Sequence, residues 1–146
     1  MADPGASLLK PDDLKRIADE IETAKAREAL EKRRKLEEQQ DAVRQEFMQR
    51  DVSDEAIKRL NSLVRHAAEQ GHKEVMLFRF PAEYCKDHGR AINNFDPDWP
   101  ASLTGFAAKA HEAFKRDLEP VGYRMRAQIL NYPDGNLGDV GIFLSW

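Results

Sequence analysis

Cysteine occurs once in this chain of 146 residues, as Cys85, so no internal disulfide can staple the fold. A lone thiol fits a reducing compartment, and the expectation is a cytoplasmic protein. Charge of one sign is also scarce. Lys and Arg number 23 against 26 Asp and Glu, a net charge of −3, which leaves no general electrostatic grip on nucleic acid. No run of about 18 apolar residues occurs, which excludes a membrane-spanning helix. Met1 to Lys10 has no basic stretch leading into an apolar core of the kind an export signal needs. The length is that of one domain, roughly 100 to 200 residues, rather than of a multidomain enzyme.

Proline and glycine are missing from residues 12–70, and Phe47 is the sole aromatic there, while the other 11 aromatics fall between Phe78 and Trp146. A breaker-free stretch in which 28 of 59 residues are charged, 15 acidic and 13 basic, reads as solvated helix, and the aromatic-rich remainder holds the core. The first helix starts near Pro11, with Asp12 and Asp13 at the positive end of its dipole, and runs to about Arg50. A second starts at Ser53, a capping residue, with Asp54 and Glu55 in its first turn. Ile57, Leu60, Leu63, Val64, Ala67 and Ala68 give it a core face, and Gly71 stands where a left-handed cap belongs.

The first helix carries a sparser stripe. Leu14, Ile17, Ile21 and Ala24 keep a heptad that fails at Glu28 and Glu31 before Leu36, Val43 and Phe47 resume apolar spacing, all but Phe47 within an arc of about 120°. At about 1.5 Å per residue the first helix spans roughly 60 Å and the second about 25 Å, so a hairpin of the two leaves more than half the stripe uncovered. That excess favours a homo-oligomer, a dimer first, or a helical protein partner, gripping through Leu14, Ile17, Ile21, Leu36, Val43 and Phe47. The opposing reading is a charged helix held in solvent by i to i+4 pairs, or partly frayed near residues 32–40.

Beyond Gly71 the pattern is that of strands and short helices. The apolar run from Val75 to Phe80 reads as a central strand, Leu103 to Leu118 as a helix packed across the sheet, and Tyr123 to Tyr132 as a half-buried strand. Asp139 to Trp146 reads as its antiparallel partner. The fold class is α+β in the order αα-β-α-α-ββ: a tail over residues 1–10, a helical arm over 11–70, and a small, mainly antiparallel three-stranded sheet packed by helices over 71–146.

Chemically capable side chains are densest between the first strand and the helix after it, where Asp87, His88, Arg90, Asn93, Asn94 and Trp99 lie on what reads as the longest irregular loop. Such a loop is a ligand site or small enzyme centre in one reading, with Arg90 and Asp87 as contacts and His88 as acid or base. In the other, the Asp and Asn side chains satisfy turn backbone and Trp99 closes the core. Cys85 beside His88 suggests a nucleophile, yet no oxyanion-hole motif accompanies the pair, and a buried structural cysteine is the preferred reading. His66, His72 and His111 lack ligand spacing, so no metal and no cofactor are expected. Lys32 to Lys35, the compact basic run, points to all sides of a helix among Glu28, Glu31, Glu37 and Glu38, which speaks for a solvated face over phosphate binding. No motif specifies a reaction. The leading reading is a non-enzymatic interaction or regulatory protein, with the loop over residues 85–99 as the alternative centre of function.

Overall fold

The computed structural model describes residues 7–146. Of the tail expected over residues 1–10, residues 1–6 lie outside the described residues, and 7–10 have no regular secondary structure. Helix α1 spans Pro11–Gln49 without a break, so residues 32–40 are helical throughout. Its start is half a capping box: the Asp13 carboxylate accepts from the Lys10 N–H at 3.2 Å, while the Lys10 carbonyl accepts from the Leu14 N–H. No basic residue occupies its last turn. The cation comes instead from Lys109, whose ammonium reaches the Gln49 carbonyl at 3.4 Å and the Asp51 carboxylate at 2.7 Å, opposing the negative end of the helix dipole.

Helix α2, Asp54–Glu69, begins as its sequence predicts, with the Ser53 hydroxyl accepting from the Ala56 N–H at 3.1 Å, and Gly71 follows at φ 82°. Three strands follow, β1 (Glu74–Pro81), β2 (Arg124–Ile129) and β3 (Asp139–Ser145), all paired antiparallel in the order β1-β3-β2. Between β1 and β2 lie the short helix α3 (Arg90–Asn93) and α4 (Gly105–Ala113), which widens into a π turn over Phe114–Leu118. The fold is α+β.

Two expectations change. First, the central strand is β3, not β1, so the last strand has no free edge. The apolar continuity of β1 has another cause: the register against β3 shifts between Met76 and Phe78, leaving Leu77 as an extra residue. This bulge places Val75, Phe78 and Phe80 opposite Leu144, Ile142 and Val140, on one face despite their uneven spacing. Second, residues 90–98 are not wholly irregular. Asp87 nucleates α3, and Ile92, 3% exposed, carries it into the core.

The chain divides into two compact units, residues 1–43 and 44–146, so α2 falls with the sheet and not with the helical arm. In the second unit the core gathers on the sheet face that carries Val140, Ile142, Phe80 and Ile129, covered by Tyr84, Cys85, Ile92, Leu103 and Ala107. Helix α2 packs against β1, and α3 against β2. The opposite sheet face is charged and self-paired. Arg126 lies 4.0 Å over the Phe143 ring and donates to Glu74 at 2.7 Å, and Arg79 pairs with Asp139 at 2.6 Å. The guanidinium holds the Glu74 carboxyl below its ordinary pKa.

Candidate functional site

In the first unit, Leu14, Ile17, Ile21, Leu36 and Val43 all lie on α1 with 43% to 60% of their surface exposed. Around them the helix is laced with short-range ion pairs, Arg16 with Asp13 at 3.4 Å, Lys32 with Glu28 at 3.3 Å and Arg34 with Glu31 at 2.6 Å. Such exposed pairs add only about 0.3–0.5 kcal/mol each, so they keep the helix solvated without fixing what the apolar residues face. The basic run is thereby partly neutralised by its own glutamates, as its surroundings in the sequence predict.

Phe47 does not belong to that exposed set. It is 8% exposed, its ring 5.2 Å from Phe80, 5.1 Å from Tyr84 and 6.3 Å from Phe106 in the core of the second unit. Its expected role in gripping a partner is corrected: the side chain is already buried within its own chain. Apolar spacing along a helix marks both kinds of residue alike. The density of aromatics after Phe78, with this single aromatic before it, was the available signal that Phe47 belongs with them.

The loop that follows β1 is built mostly from its own hydrogen bonds. The Asp87 carboxylate accepts from the Gly89 N–H at 3.0 Å and the Ala91 N–H at 2.8 Å, holding the chain through consecutive left-handed residues, His88 at φ 59° and Gly89 at φ 89°. Asn93 accepts from the Tyr132 hydroxyl at 3.0 Å, which ties α3 to the segment after β2. Trp99, half-buried, sets its ring 5.9 Å from His111 in an edge-on contact. His88, Arg90 and Asn94 are exposed. Asp87 thus satisfies turn backbone, as one of the two readings expects, whereas Asn93 bonds a distant hydroxyl instead. Replacing Asp87 by Ala is expected to lower stability by about 1 kcal/mol through loss of this cap, read as a fall in the urea midpoint of full-length protein; an unchanged midpoint would show that the carboxylate has no such role.

Cys85 is 4% exposed, and burial, aided by the Asp87 charge and offset by a hydrogen bond with Ser102, pushes its thiol up to about 11. It is protonated at neutral pH, the reverse of what an activated nucleophile needs. Burial also lowers the His111 pKa. Among the described residues no group of three or more His, Cys, Asp and Glu is placed to hold a metal ion, and no helix is long and apolar enough to cross a membrane.

Two shallow clefts run along α2, one lined by Lys58, Arg59, Ser62, Leu63 and His66, the other by Asn61, Val64, Arg65, Ala68 and Tyr123 among others. Neither includes a residue of the loop over 85–99. Comparison of the chain with protein-family models, curated proteins and solved structures found no match.

Proposed function

We propose that the protein is a non-enzymatic interaction or regulatory protein that self-associates through the apolar stripe of α1. The observation that supports this is the exposure of Leu14, Ile17, Ile21, Leu36 and Val43 along one 39-residue helix. Isolated exposed aliphatics are ordinary on any protein. Five aligned on one helix form the kind of seam that a second helix buries. The Asp87 carboxylate and the Asn93 amide of the loop after β1 make their contacts within the chain, which favours the helix over the loop as the centre of function.

The test is the solution mass of full-length protein by light scattering across a wide concentration range, alongside the double variant Ile17→Lys, Ile21→Lys. Wild type is expected to reach at least the mass of a dimer, and the variant to remain monomeric with unchanged helical circular dichroism. Wild-type monomer at every concentration would sink the proposal. An oligomer unaffected by the substitutions would remove these residues from the interface.

A further inference from the structure

We infer that the end of the second unit formed by α2 and the start of β2 binds single-stranded nucleic acid, with phosphates on the cations of α2 and bases against Tyr123 and Trp146. No residue of α1 takes part, so the site is independent of self-association. Elsewhere in residues 44–146 most cations are held by carboxylates, Arg79 by Asp139, Lys109 by Asp51 and Arg126 by Glu74 among them. Lys58, Arg59, Arg65, Lys73 and Arg124 pair with no carboxylate among the described residues. All five gather at one end of the sheet. Three lie on α2, Lys73 precedes β1, and Arg124 opens β2 opposite Ser145, the residue that Glu74 of β1 also faces. The cleft shared by Arg65 and Tyr123 brings α2 to that same end.

The net charge of −3 is therefore unevenly spread: over residues 58–73 four Lys and Arg stand against a single carboxylate, Glu69. Lys58 and Arg65 are two turns apart on one line of the helix, about 10 Å along its axis. Ser62 lies between them in sequence and lines both clefts of α2, so a hydroxyl donor accompanies the cations. The aromatics complete the site. Tyr123 lines the cleft beside Arg65 and meets the Trp146 ring edge-on at 6.4 Å, and the Trp146 N–H donates to the Lys73 carbonyl at 3.1 Å. Trp146 keeps 39% of its surface exposed. Rings beside a groove of unpaired cations suit a single strand, because every base offers a face to stack on while the phosphates take the cations. A duplex keeps its bases stacked inside. An anionic bilayer would meet the same cations, but Tyr123 is half-buried in a cleft and does not project into acyl chains.

Fluorescence anisotropy of a labelled oligouridylate and a labelled oligodeoxythymidylate, each of about 12 nucleotides, tests this on full-length protein at low salt, with a duplex of the same length alongside. Both single strands are expected to bind in preference to the duplex. Affinity should fall with salt at a log–log slope of about −2 to −3.5, which is about 0.7 for each of three to five phosphates neutralised. Arg65→Glu should weaken binding about tenfold, and Glu69→Gln should strengthen it about twofold. Tyr123→Ala should cost about tenfold, with Tyr123→Phe restoring the affinity. Lys86→Glu, the same change of charge at an unpaired cation after β1, should alter it by less than about threefold. Circular dichroism checks that each variant is folded. No binding of either single strand, a duplex bound as tightly as they are, or equal losses from Arg65→Glu and Lys86→Glu would each overturn the proposal. Binding of phosphatidylserine vesicles in place of the oligonucleotides would overturn it in favour of a membrane surface.

Discussion

Replacing Phe47 by Ala is expected to destabilise residues 44–146 by about 3–5 kcal/mol, a large part of the roughly 5–15 kcal/mol that holds a domain of ordinary stability together. The ring stands among Phe80, Tyr84 and Phe106 with centroid separations of 5.1–6.3 Å. Its removal deletes apolar contact and leaves a cavity that the surrounding sheet and helices close only in part. Leu30→Ala, on the same helix but 66% exposed and away from the stripe, is the matched control and should change stability by less than about 0.5 kcal/mol. Urea unfolding followed by near-ultraviolet circular dichroism separates the two. Equal effects would show that Phe47 contributes no more than a surface leucine. The same contacts dictate how the protein should be cut: deleting residues 1–50 removes a core side chain, whereas a cut after Val43 follows the division between the units.

Gly105→Ala should cost about 2–5 kcal/mol, from one methyl group. Gly105 opens α4 at φ 54°, where an L side chain is strained, and an added Cβ would lie 2.7 Å from the Met48 Cα and 2.8 Å from the Phe47 carbonyl oxygen. Both obstacles are backbone, so neither can swing away, and the end of α1 and the start of α4 would have to separate. Gly122→Ala isolates the conformational part, because at φ 110° its Cβ would enter open space. It should cost only the backbone strain, about 1–2 kcal/mol. A thermal melt of the two variants checks the difference, and equal losses would mean that close packing at Gly105 contributes nothing.

Much of the local structure was legible because its causes are local. Pro11 with Asp12 and Asp13, Ser53 before Asp54, and Gly71 after Gln70 mark helix ends through capping and backbone conformation, and the structure places the ends there. Strand order was not legible in the same way. Hydrophobic spacing reports which residues avoid water, not which strand lies beside which. In β1 the extra residue at Leu77 imitated the continuous apolar run of a strand covered on both faces. For the candidate site, the stripe of α1 and the polar loop were both visible as compositions. Which side chains were already occupied was not: the partners of Asp87 are neighbours in a tight turn, but those of Phe47 and Asn93 are more than 30 residues away. Helical periodicity treats Val43 and Phe47 alike, and only the distant aromatics distinguish them.

The central place of β3 orders events during synthesis. Strands β1 and β2 pair with β3 and not with each other, and the bridge from Arg79 to Asp139 closes a loop of 60 residues. Until a ribosome has passed Asp139, both earlier strands have exposed backbone with no partner in the sheet, so this part of the chain folds after translation of its last strand and at the slower pace of non-local pairing. A nascent chain halted before that point presents two unpaired strands to whatever binds extended polypeptide, which makes the interval between synthesis of β2 and of β3 the one in which chaperone protection matters most.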